Sequence, residues 1–193
     1  MTYLLRLTDK RPDAVIDAAV AEAIQNATVR FQPLQFEYEY PRTGFGITTL
    51  TPKAVAASNQ GTGLQGTGVV SSTIWGVSTL AANTWADWIN INVDDRIYIV
   101  VTGVFNRTST PQISNIRFKA NGEDLPWVNL DQMYNWEVSQ AYLQRPLIIS
   151  PTNNFTVRAI AEKAITGASG VPAERIGLLG YILAKRTYLI SET

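Results

Sequence analysis

The 193-residue sequence contains no cysteine and no histidine. The first absence excludes disulfides, thiolate metal sites, cysteine nucleophiles and redox switching. The second removes every His-dependent triad, His-ligated metal site and imidazole proton shuttle. Charge is also scarce: 17% of residues are Asp, Glu, Lys or Arg, against about 25% in an average soluble domain. Sixteen basic and sixteen acidic residues cancel to a formal net charge of zero. Such a surface does little to oppose self-association, which suggests that much of it faces other protein. Direct contact with nucleic acid is not expected, because that normally shows as a basic face or arm. The apolar run in Met1–Lys10 is too short for a secretory h-region, and no stretch reaches the ~18 apolar residues of a spanning helix. The sequons at Asn26, Asn106 and Asn154 are read as chance matches. Missing cysteine leaves the compartment open.

What is present points to β-structure. Hydrophobic residues make up 46% of the chain, enough to bury a core without covalent staples. Residues 12 to 27 read as one helix, with Pro12 at its first position and Asp13 and Asp17 early, where the helix dipole favours anions. Ile16, Val20 and Ile24 form one stripe and Ala19, Ala23 and Ala27 the next. This helix either packs on its own domain or docks on a neighbouring subunit. Residues 29 to 40 alternate, with Val29, Phe31, Phe36, Tyr38 and Tyr40 against Gln35, Glu37 and Glu39. Pro33 and Pro41 make that an edge strand or extended arm.

Residues 51 to 68, with Gly61, Gly63, Gly66 and Gly68, read as a flexible linker. From Val69 onward short strands follow at close spacing. They include 85–93, the nearly continuous apolar run Arg96–Phe105, 113–120 ending at the Asn121–Gly122 turn, 147–149, 155–165 and 175–190, the last broken near Gly180. About eight such strands are the signature of a sandwich or barrel. The expected organisation is an arm and helix over 1–50, a linker over 51–68 and a β-sandwich over 69–193.

No motif assembles a catalytic centre. Gly61-x-Gly63-x-x-Gly66 matches a dinucleotide fingerprint only literally, since no strand precedes it and no helix follows. Asp94–Asp95 and Glu123–Asp124 could serve glycoside hydrolysis only if they converged, and each sits where turn chemistry explains it. No spacing suits a calcium loop. The chain is therefore expected to be no enzyme and to use no metal or cofactor. The aromatic residues carry the strongest signal. Trp75, Trp85, Trp127 and Trp136, with Ile16, Val20 and Ile24, are the expected contacts with other subunits. In the alternative, Trp88, Trp127, Tyr134 and Trp136 form an exposed platform for a glycan. Trp85 and Trp88, three apart, should face opposite sides of one strand.

Three stretches carry a resemblance: Ile91–Val101, with strand, acidic turn and strand; Arg145–Arg158, with an aliphatic run, a Pro/Asn turn and an alternating strand; and the closing run Gly177–Leu189. Together they resemble single jelly-roll virion proteins, the capsid, vertex or decoration subunits of icosahedral bacterial and archaeal viruses. The resemblance covers about two-thirds of the chain. It implies an all-β, jelly-roll-like antiparallel sandwich with an N-terminal arm and a short amphipathic helix. It also implies a structural role in the virion, with self-association and contacts to other coat proteins. Many genome-contacting coat proteins have a basic arm, which is missing here, so a shell over a membrane or over another coat layer is implied. The runner-up is a carbohydrate- or receptor-binding sandwich of an extracellular or cell-surface appendage.

Overall fold

The computed structural model describes residues 4–5, 12–31, 45–52, 69–71, 74–168 and 171–185. The strands in chain order are β1 (Leu4–Leu5), β2 (Phe45–Thr49), β3 (Val69–Ser71), β4 (Ile74–Val77), β5 (Thr79–Leu80), β6 (Ala86–Asn92), β7 (Ile97–Asn106), β8 (Ile113–Ala120), β9 (Glu123–Asp124), β10 (Val128–Asn129), β11 (Gln140–Ile149), β12 (Asn154–Ala161), β13 (Ile165–Thr166) and β14 (Ile176–Lys185). Helix α1 spans Pro12–Phe31, and a short α2 spans Asp131–Asn135. Two sheets form the body, one ordered β1-β11-β7-β14-β2 and the other β10-β8-β12-β6 with β9 beside β8. Every pairing between these strands is antiparallel. The molecule is thus an antiparallel β-sandwich, and the all-β expectation holds.

The main core lies between the sheets. β7 supplies Ile97, Ile99 and Val101 to it, and β12 supplies Phe155, Val157 and Ala159. Phe118 of β8 stacks on Phe155 with ring centroids 6.4 Å apart. A second, smaller core lies on the far side of β7, where Ala19, Ala23 and Ala27 of α1 meet Tyr98, Val100 and Leu183. This second layer explains the unbroken apolar run of β7, since a strand covered on both faces loses polar alternation. Both neighbours of β7 change register across Thr102: β11 pairs Tyr142 with Gly103 and then Leu147 with Val101, and β14 pairs Leu179 with Gly103 and then Gly180 with Val101. A bulge of this kind shifts the pleat. It returns Val104 to the main core, although Tyr98 and Val100 face the helix. Gly180 is required here, because a Cβ would run into the Val100 carbonyl. The strand expected to break near Gly180 instead continues to Lys185.

Two expectations need correction. The described parts of residues 1–50 are not an arm apart from the sandwich. β1 pairs with β11, β2 pairs with β14, and α1 packs on the sheet. The two strands hydrogen-bond to that sheet and the helix buries its alanines on it, which is why a boundary drawn on the glycine-rich segment fails. Val29 and Phe31, expected on a strand, lie on α1. The helix also turns its alanine stripe to the sheet rather than its aliphatic one. The sheet presents bulky Tyr98, Val100 and Leu183, so close approach needs small residues opposite. The alternating segment 32–40 and the linker residues 53–68 lie outside the described residues.

Candidate functional site

The sandwich has two differently built ends and a cleft along one side. The cleft starts from two local sequence features. Asn121 and Gly122 take φ values of 52° and 82°, the positive-φ pair of a tight hairpin turn, and this turn folds β9 back on β8. On the facing sheet, Leu143–Pro146 of β11 stand opposite Thr102 alone, between the pairs Tyr142–Gly103 and Leu147–Val101. Proline cannot donate to the ladder, so Pro146 suits such an irregularity. Between these features opens a cleft of about 380 Å³. That volume lies within the size range of small ligand pockets.

The cleft floor is apolar, with Phe118, Ala120, Leu125, Leu143 and Leu147, and its lining includes the charged Glu22, Glu123 and Arg145. Glu22 comes from α1, Glu123 from β9 and Arg145 from the irregular part of β11. Asn121 braces one wall: its Nδ2 donates to the Ile148 carbonyl at 2.8 Å, and its Oδ1 accepts from the Ser150 N–H at 3.0 Å. An apolar floor with charges of both signs can seat an apolar side chain and orient its polar neighbours.

At the end formed by the connections 93–96, 121–127 and 150–153, Asp94 is the buried acid. It accepts from the Arg96 N–H, Nε and Nη2 at 2.9, 2.8 and 2.6 Å. The Arg96 guanidinium and N–H hold its carboxyl down at about 2, against the burial that opposes ionisation. Asp95 is exposed and 3.8 Å from Arg96.

The opposite end is organised by Glu174, which is 1% exposed. Its carboxylate accepts from Asn106 Nδ2 at 2.6 Å, the Gln112 N–H at 3.1 Å and the Ile113 N–H at 3.2 Å. Its main chain pairs with Val77 in both directions, at 2.9 and 3.0 Å. Asn106 Nδ2 also donates to the Tyr134 hydroxyl, which donates to the Ile113 carbonyl. Glu174 thereby holds Asn106, Gln112 and Ile113 through its side chain and Val77 through its main chain, and Asn106 carries the network on to Tyr134. Burial pushes the Glu174 acid up despite its three N–H donors, and burial likewise raises the Tyr134 phenol. Perturbed acids mark active sites when a substrate can reach them. Glu174 is sealed and its partners are internal, so the chemistry here is that of a tie.

The outer face of the β8–β12–β6 sheet is polar. Asn154 Nδ2 donates to Asn90 and Asn92 side chains at 3.2 and 3.3 Å, and Arg158 lies 3.1 Å from Asp87. Among the described residues no group of three or more acids could hold a metal ion, and no helix is long and apolar enough to cross a membrane.

No protein-family model matches this sequence, and no curated protein matches it significantly.

The expected contact residues separate on inspection. Trp127 is 45% exposed. Trp75 and Trp136 are half-buried and pack against the core. Trp75 meets Trp88 edge-on with centroids 6.3 Å apart, and its ring, with that of Phe105, lies where a Cβ on Gly177 would be. Trp85 is half-buried, and its carbonyl accepts from Arg158. On α1, Ile16 and Val20 are half-exposed, while Ile24 packs beside the alanine stripe. The glycan platform is corrected at Trp88, which is 2% exposed and cannot stack on a sugar, while half-buried Tyr134 commits its hydroxyl to the Ile113 carbonyl. Trp88 is buried at the register slip of β6, and Trp85, just before that strand, is half-buried. The acidic pairs are also corrected as a catalytic set: Asp94 is committed to Arg96, and Asp124 lies 3.5 Å from Arg117. Glu123 alone of the four lines the cleft. Glu22, Arg145 and Glu174 were not singled out from the sequence. The Arg-Pro pair inside an apolar run was the available signal for the first irregularity; nothing local marks Glu174.

Proposed function

We propose that this chain is a virion structural protein: a capsid or capsid-associated subunit that assembles through self-association and contacts with other coat proteins. The observation that carries the reading is the strand order. Taking β2, β6, β7, β8, β10, β11, β12 and β14 as one to eight, the sheets read 1-8-3-6 and 2-7-4-5. We read this as a jelly roll, an architecture used by viral shells and also by lectins and cupins. Fold alone does not assign function. The balance tips toward a shell subunit because charge is sparse and balanced and the buried acids Asp94 and Glu174 are committed to partners within the chain. In addition, Ile47, Ile74, Trp127 and Val171 stand 44–56% exposed. Apolar residues at the surface of a neutral protein suit contact with other protein. The virion is the matching location.

The experiment is the native mass of the full chain over a concentration series, by light scattering after size exclusion, with micrographs of the same fractions. Defined oligomers, rings or shells are expected. A chain that stays monomeric alone and with other coat proteins from the same particle overturns the reading. A carbohydrate- or receptor-binding sandwich is the second reading, favoured by exposed Trp127 and by Arg145, Glu22 and Glu123 of the cleft, which form no ion pair among the described residues. Glycan-array binding abolished by Trp127→Ala would move it ahead.

A further inference from the structure

We propose that the edge strand β2 pairs with β2 of a second copy, antiparallel about a two-fold axis, joining two sheets into one. This inference rests on the reading of the chain as an assembling subunit and names the surface. An edge strand presents unpaired N–H and C=O groups, and proteins blunt such edges with short strands, charge, proline or bulges. Three of the four edges of the two main sheets are blunted. β1 and β10 are each two residues long. β6 carries Asp87, in an ion pair with Arg158, and its pairing with β12 slips between Val157 and Arg158. β2 is different. Its sequence is Phe-Gly-Ile-Thr-Thr, with no charge and no proline. It pairs with β14 through five successive residues without a slip, from Phe45–Lys185 to Thr49–Tyr181. Among the described residues no strand lies on its other side.

The occupant is a second copy because the strand is its own complement. An uncharged strand meets no like-charge repulsion when it pairs with itself, and a two-fold closes after two copies. With Ile47 at the centre of the pair, all five residues of each strand overlap. Ile47 is 44% exposed, and Thr48 and Thr49 are exposed as well. The two Ile47 side chains then meet directly across the axis, as cross-strand partners do.

The absence of native cysteine makes the test clean. Single-cysteine variants Ile47→Cys, Thr48→Cys and Thr49→Cys of the full chain are oxidised at equal concentration, beside Lys163→Cys as an exposed control away from the edge. Paired strands bring Cα atoms within disulfide reach. A crosslinked dimer several-fold more abundant at one of the three than at the control is expected, at Ile47→Cys for the register proposed. Ile47→Lys should lower the native mass by twofold or more with an unchanged melting curve. No excess crosslinking over the control, or an Ile47→Lys variant that melts and associates like the parent, overturns edge pairing. Parent chain that still associates in that case leaves the assembly reading standing; parent chain that is monomeric at every concentration counts against both.

Discussion

Each end of the sandwich carries one buried acid, Asp94 or Glu174, and the two are bound in opposite ways. Asp94 is paired with a cation that is itself 45% exposed. Its charge is favourable, and solvent shares the interaction. Glu174 has only N–H donors and no cation, and it is sealed from water. Its side-chain hydrogen bonds hold Asn106, Gln112 and Ile113, while its charge is a liability. A buried acid is strong evidence of architecture when its donors lie far from it in the chain, as Asn106, Gln112 and Ile113 lie from Glu174. An acid beside its own neighbour in sequence organises only a turn.

The sharpest way to break this comparison is to remove each acid. Glu174→Ala strands three N–H donors in the interior, each costing about 1–3 kcal/mol, so a loss of about 3–5 kcal/mol is expected. Asp94→Ala releases a partner that water can solvate, and about 1 kcal/mol is expected. Denaturant titration of both variants measures the difference, and equal losses would refute the distinction.

Next in size is Asn121, the brace of the cleft at the Asp94 end. Asn121→Ala loses two side-chain hydrogen bonds and a residue suited to positive φ, for about 1–3 kcal/mol. Asn121→Gly keeps the turn and loses only the bonds, so it should be the milder of the two by thermal melting.

The pH response sharpens the comparison further. Asp94 in the folded chain titrates at about 2, below its ordinary 3.8. Its stabilisation is therefore present above about pH 4 and drains away as pH falls toward 2. Glu174 is raised above its ordinary 4.5. The folded chain holds that proton more tightly than the unfolded one, so this contribution is full below pH 4.5 and is lost as pH rises through the folded value. Melting temperatures from pH 2 to 8 should show Asp94→Asn flattening the acid limb and Glu174→Gln flattening the limb above pH 4.5. A shared change in one limb would mean that the ends are coupled.

The smallest effect is expected at the cleft. Arg145→Glu changes an exposed charge outside any ion pair among the described residues, so stability should move by no more than about 0.5 kcal/mol. A large loss of stability would make Arg145 part of the architecture rather than of the contact surface.

How much of this was legible depended on whether the pattern was local. β7 stood out as an unbroken apolar run, β8 and β12 as alternations, and the Asn121–Gly122 turn as a dipeptide with its own backbone preference. Helix α1 was legible from Pro12 and its spacing. Its buried face was not, because the choice between the alanine and the aliphatic stripe depends on Tyr98, Val100 and Leu183 across the gap. Trp88 and Trp127 are chemically alike and differ only in what lies over them. The cleft was half legible: Pro146 hinted at an irregular strand, but its opposite wall comes from another sheet.

The sequence by itself determined the β class, the absence of thiol and imidazole chemistry, the near-neutral surface and the positions of the long strands, because each follows from composition or from a period of two along the chain. The assembled fold decided that residues 4–5 and 45–49 join one main sheet and helix 12–31 packs on it, that Glu174 bonds Asn106, Gln112 and Ile113, and that β2 has no strand on its other side among the described residues. Those outcomes rest on pairings between residues far apart in the chain, and such pairings are fixed by burial and by hydrogen-bond satisfaction in the assembled fold.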